Sequence, residues 1–118
     1  MTTSELKTEV PTSWGEPRER TVTWYDPILG ATEGLRMPGI DYLRAMREGT
    51  LPPAAIAGLM RFELSEVEEG RVSFTCWPDE SAYNPIGVVH GGLVCTLLDS
   101  VCGCAVHSTL PRGKGYTS

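Results

Sequence analysis

The sequence predicts an α+β domain, and three features predict it. Leu59 to Val67 and Arg71 to Trp77 each alternate apolar with polar side chains on either side of the turn Glu68-Glu69-Gly70. Period-two alternation across a tight turn is the pattern of an antiparallel hairpin with one buried face. From Gly91 to about Thr109, by contrast, Leu93, Val94, Leu97, Leu98, Val101, Cys102, Ala105 and Val106 cover more than half of a helix circumference, which calls for structure on several sides. The chain has 118 residues, 41% hydrophobic and 21% charged. That is one domain's length, with enough apolar side chains to fold.

The charge balance narrows the function. Ten basic against fifteen acidic residues give a net charge of −5 and a pI near 4.9. A nucleic-acid binder needs a basic stripe to neutralise phosphates, and an anionic membrane attracts the same sign, so neither partner is expected. Met1 to Trp14 lacks the basic-then-apolar order of a secretion signal. The long apolar stretch Ile86 to Val106 contains His90 and Asp99. A carboxylate in mid-membrane costs roughly 2.5–3.5 kcal/mol, so the stretch reads as a loop entering a buried helix of a cytoplasmic protein. Of Cys76, Cys95, Cys102 and Cys104, three crowd that one helix, which is poor disulfide geometry. With His107 nearby they invite a metal site, but Cys-x-Cys points two ligands to different sides of a helix; small core residues are the simpler reading, with no metal and no cofactor.

Taken in order, residues 1 to 38 read as an N-terminal extension, polar and loosely held at first. Thr21 to Tyr25 could form a short extended piece, and Pro27, Gly30, Gly34 and Pro38 punctuate the rest too often for a long element. The domain proper spans 39–118. Gly39 to Glu48 has helical spacing at Ile40, Leu43 and Met46, with Gly49 where a C′ glycine belongs and Pro52-Pro53 to stop it. The hairpin follows, then a Pro-, Asn- and Gly-rich loop over 78–90, then the long helix. Leu110 to Gly115 is a turn, and Tyr116-Thr117-Ser118 reads as the start of a third strand. Two strands cannot wrap so apolar a helix. The expectation is therefore the first part of a larger domain, the alternative being that a partner chain supplies the other strands.

The chemistry concentrates between Asn84 and Asp99. Gly91-Gly92 opens the long helix, whose first-turn amides lack internal partners and favour negative charge, so that end can hold a carboxylate, a phosphate or a developing oxyanion. Asp99 is the only acidic or basic residue between Gly91 and Val106, with small neighbours Cys95, Thr96, Cys102 and Gly103 at helical spacing. It is either a base in a cleft, its pKa raised by burial, or a structural aspartate bonding a neighbouring strand. His90 either orients the loop through backbone bonds or helps polarise a carbonyl, with a general base as a third, weaker option. Asn84 is either a turn residue before Pro85 or a side-chain donor to substrate. Gly91 and Asp99 lie eight residues apart, about 12 Å along a helix axis, so one helix cannot bring both to one carbonyl. Two antiparallel copies across a two-fold axis could, which predicts a homodimer with sites at the interface.

His90-Gly91-Gly92 with Asp99 and Gly103 after it, Asn84-Pro-Ile-Gly before it and Gly115-Tyr-Thr-Ser beyond resembles the hotdog-fold acyl-CoA thioesterases, in particular the phenylacetate-pathway (PaaI-like) type. The resemblance runs from about Leu59 to Ser118. It implies a curved antiparallel sheet wrapped around the central helix, incomplete in this chain because the family continues through several more strands after the position of Ser118. It implies hydrolysis of an acyl-CoA substrate in a dimer or dimer of dimers. The Gly91 amide would polarise the thioester carbonyl, helped by Asn84 and His90, with Gly92 beside it. Asp99 of the partner chain would act as general base or as nucleophile, and Thr117 would hold the lytic water. Arg112 and Lys114 would meet coenzyme A phosphates or remain solvated. The competing functions are a non-catalytic hotdog module that binds acyl thioesters and a hotdog hydratase or dehydratase.

Overall fold

The computed structural model describes residues 9–117. Four helices and one hairpin follow in the order α1 (Pro27–Gly34), α2 (Gly39–Glu48), α3 (Ala55–Met60), β1 (Phe62–Glu68), β2 (Arg71–Cys76) and α4 (Gly91–His107), an α+β architecture. The expected helix at Gly39–Glu48 is present, ended by Gly49 in the left-handed conformation at φ 85°. The long helix is present too and ends two residues early, at His107, where the buried Ser108 closes it. The Ser108 hydroxyl donates to Ala105 O at 2.6 Å and accepts from the Gly70 amide at 2.7 Å, which pins the hairpin turn to the end of α4.

β1 and β2 pair antiparallel, Phe62 opposite Cys76 and Glu68 opposite Arg71, with a bulge between Leu64 and Glu66. The bulge changes the phase of β1. Phe62 and Leu64 share a face by alternation, and the extra residue Ser65 then rotates Val67 onto that same face, where it is buried. Leu43 of α2, 1% exposed, meets Val67 and Val72 there, with Val101, Cys104 and Ala105 of α4 packed around them. The hairpin therefore buries one face under α2, which lies on β1, and α4, which lies on β2.

Several expectations need correction. The segment 27–34 is a helix despite Gly30 and Gly34. The Asp26 side chain caps it by accepting from the Ile28 amide at 2.9 Å, Pro27 supplies a preset φ, and both glycines face inward, where Tyr42 leaves no room for a Cβ at Gly34. Thr21–Tyr25 joins no sheet among the described residues. Leu59 and Met60 belong to α3, not to the first strand; Arg61 in the left-handed conformation at φ 60° ends that helix, and pairing starts at Phe62. Tyr116 and Thr117 are irregular rather than strand, and Ser118 lies outside the described residues. The Thr23 carbonyl lies so close to α3 that a Cβ on Gly58 would come within 2.5 Å of its oxygen. Finally, α4 is not wrapped: Val94, Leu98 and Val106 are each about half exposed. Among the described residues no helix is long and apolar enough to cross a membrane.

Candidate functional site

The loop before α4 is built by Asn84. Its Oδ1 accepts from the amides of Ile86 at 3.1 Å and Val88 at 3.2 Å, and its own amide donates to Val88 O at 2.8 Å. Gly87, at φ 81°, makes the tight turn these bonds require. Tyr83 and Val89 form an isolated antiparallel bridge, and the His90 amide donates to Ala82 O at 2.8 Å, so the loop closes on itself just before the helix. Of the two roles open to Asn84, the turn is the one its carbonyl oxygen fills.

His90 is the N-cap of α4. Its Nδ1 accepts from the Gly92 amide at 2.8 Å, the bond usually supplied by Ser, Thr, Asp or Asn. A neutral ring accepting through Nδ1 carries its proton on Nε2, which leaves an N–H donor on the exposed edge. The His90 side chain is thus tied to the backbone of the helix start. Gly91, the first helical residue, is exposed, and a Cβ there would meet nothing within 4 Å. At Gly92 a Cβ would come within 2.9 Å of His90 Nδ1, so the capping ring itself requires a small residue there.

Asp99 is exposed in this chain rather than buried. It stands with Ser100 on the wall of a cleft of about 730 Å³ between α2, α3, β1 and α4. Tyr116 lines the same cleft, packed over Gly103, where a Cβ would overlap the ring. Burial, then the neighbouring Cys104 thiol and Asp99, push the Tyr116 phenol up to about 12. Thr117 lines an adjoining cavity of about 440 Å³ that shares Tyr116 and Cys104 with the first. Arg112 and Lys114 are exposed in the turn around Gly113 and line neither cavity. Cys76, Cys95, Cys102 and Cys104 are all free thiols.

The structure thus makes two groups of the expected site residues. Asn84, His90, Gly91 and Gly92 gather at the start of α4; Asp99 sits two helical turns on, beside Tyr116. In register along α4, Gly91, Val94, Cys95, Leu98, Asp99, Cys102 and Val106 fall on one side of the helix, and every one of them is exposed. Sequence reasoning missed Tyr116 and the cleft wall formed by α3. The signals were a glycine inside an apolar helix at Gly103 and the small residues Ala54, Ala57 and Gly58. Comparison with protein-family models, curated proteins and solved structures finds no match.

Proposed function

We propose that this chain carries the central helix and the reacting groups of a hotdog-fold acyl-CoA thioesterase that works as a homodimer or dimer of dimers. One observation carries the reading: a capped helix start at Gly91 and a carboxylate at Asp99 lie on one exposed, otherwise apolar side of α4. An exposed apolar stripe of this kind marks an interaction surface. An antiparallel copy that covers it brings the Gly91 amide of one chain opposite Asp99 of the other. The amide then polarises the thioester carbonyl and stabilises the oxyanion as water adds, with Asp99 taking the proton of that water; alternatively Asp99 itself attacks and forms an anhydride that water opens. Either route expels the coenzyme A thiolate. In this reading His90 and Asn84 hold the amide in place, Thr117 contributes to the water site, and Arg112 and Lys114 are solvated loop charges.

Two variants test the shared site. Asp99→Asn removes the base, and Gly91→Pro removes the amide proton at a position where proline leaves a helix intact. Each should abolish loss of thioester absorbance across a panel of acyl-CoA esters. Mixed in equal amounts and allowed to exchange, the two inactive proteins should recover about one quarter of wild-type activity, because half the dimers are mixed and each of those has one complete site. Absence of recovery, with mixed dimers demonstrated, would sink the shared site. Binding of coenzyme A esters with no turnover by the wild type would leave a non-catalytic module in its place.

A further inference from the structure

The stretch of the N-terminal arm that carries Arg18, Arg20 and Thr23 runs across the outside of α3 toward the loop that ends in the His90 cap. We propose that Arg20 is a positioning residue: through the Asp79–Ser81 turn it fixes the loop that presents His90 and the start of α4. The proposal rests on the thioesterase reading for its catalytic consequence, but not for its geometry.

The path is continuous. The Arg20 guanidinium donates to the Leu59 carbonyl at the end of α3 and to Ser81 Oγ at 3.3 Å, and its Nε forms an ion pair with Asp79 Oδ2 at 3.3 Å. Asp79 Oδ1 accepts from the Ser81 amide at 2.8 Å and also from the Ser81 hydroxyl, which caps the short 3₁₀ turn Glu80–Ala82. Arg61, at the junction of α3 and β1, donates to Asp79 Oδ2 at 3.1 Å. Ala82, the last residue of that turn, accepts the His90 amide through its carbonyl, and His90 then takes the Gly92 amide. Arg20 is the one residue of this path that comes from the arm. The arm's place is fixed independently where the Thr23 carbonyl meets Gly58.

Burial separates this contact from ordinary surface pairing. The side chains of Arg20 and Asp79 are 30% and 26% exposed, whereas the neighbouring Arg18–Glu80 pair is 79% and 53% exposed. Exposed pairs of the second kind contribute little, while a guanidinium fork set on a hydroxyl and a carbonyl and ion-paired with a carboxylate fixes geometry. Lysine cannot reproduce that fork.

The test compares Arg20→Ala, Arg20→Lys, Gly58→Ala and the control Arg18→Ala in the full chain by amide hydrogen exchange and by steady-state kinetics. Arg20→Ala should accelerate exchange of the His90 and Gly92 amides by about tenfold, the scale of losing a hydrogen bond to a charged group, with the hairpin amide of Val72 unchanged. Arg20→Lys should not rescue. Gly58→Ala, which displaces the strap at Thr23 without touching the loop, should give the same acceleration, and Arg18→Ala should not. With acyl-CoA substrates, kcat should fall while KM stays near the wild-type value. Unchanged exchange at His90 and Gly92 in a folded Arg20→Ala protein overturns the proposal. A wild type that turns over no thioester overturns the thioesterase reading and leaves the exchange result to decide this one.

Discussion

Replacing His90 by alanine removes the cap of α4 and very little else. The side chain is exposed, so no core packing is lost, and its one hydrogen bond among the described residues is Nδ1 to the Gly92 amide at 2.8 Å. Gly92 is itself exposed, so the released N–H returns to water rather than being orphaned in the interior. The loss is therefore that of an ordinary N-cap, about 1 kcal/mol, with 0.5–2 as the range. For a domain of this size that is about 4 °C in Tm. Serine and aspartate offer an acceptor to the same amide, so His90→Ser and His90→Asp should recover most of what His90→Ala loses in chemical denaturation. The same series reads function. Turnover restored in His90→Ser means the imidazole acts only by holding the helix start, whereas turnover lost in all three with stability restored in two means Nε2–H meets the substrate. Equal stability of His90→Ala and wild type, or a serine variant as unstable as the alanine one, would refute the capping argument.

Two further predictions concern the frame around the site. A Cβ on Gly39 would overlap the His107 carbonyl oxygen and lie 2.8 Å from its carbon, both of them backbone atoms. Gly39→Ala should therefore push α2 away from the end of α4, strain the Gly39–Leu110 bond of 3.0 Å and loosen Leu43, at a cost of about 2–4 kcal/mol by urea denaturation; a cost below 0.5 kcal/mol would contradict the close approach. His107, with Nε2 buried and without a hydrogen-bond partner among the described residues, has its pKa lowered by burial from the ordinary 6.5. Above that value both states are neutral; as pH falls through it the unfolded chain takes up a proton that the folded chain resists, so stability declines until pH passes below the folded value. His107→Phe, which keeps the ring beside Tyr42, should flatten the fall in stability between about pH 7 and pH 5, and an unchanged slope would count against burial as the cause.

What the sequence made legible depended on whether a signal was local. The hairpin declared itself because alternation at Val72, Phe74 and Cys76 and at Phe62 and Leu64 needs no other part of the chain. The bulge at Ser65 was hidden, since it shows only as Val67 falling out of phase with Leu64. α3 was concealed because Met60 happens to continue the strand's alternation, and only the left-handed Arg61 separates the two elements. α1 was concealed because its glycines are tolerated for their packing against Pro52 and Tyr42, a tertiary fact. The site divides the same way. Asn84, His90, Gly91 and Asp99 were visible as polar and small residues out of place around an apolar run. Tyr116 was not, because its significance lies in closing over Gly103 and approaching Asp99 and Cys104 from the far side of a turn.

The exposed side of α4 constrains whatever covers it. Val94, Leu98 and Val106 are 49%, 57% and 52% exposed, and removing the remainder of each from water would contribute about 1 kcal/mol apiece. Asp99 on the same side opposes complete covering, because a carboxylate is costly to take out of water. The cover must therefore be apolar along the stripe and leave a polar or solvated gap at Asp99, as an antiparallel second copy would if its helix start faced that carboxylate. The register follows from the residue numbers. Setting Gly91 of one helix against Asp99 of the other places the two-fold axis at the midpoint, beside Cys95. Each Cys95 then meets its own symmetry mate, while the two Cys102 residues lie about 20 Å apart along the helix axis, because each is displaced seven residues from the two-fold in opposite directions. Mild oxidation of the assembled protein should link two chains through Cys95, and Cys95→Ser should abolish the linked species while Cys102→Ser leaves it intact. Linkage through Cys102 instead, in protein shown to be dimeric before oxidation, would place the axis elsewhere and remove the pairing of Gly91 with Asp99 on which the shared site depends.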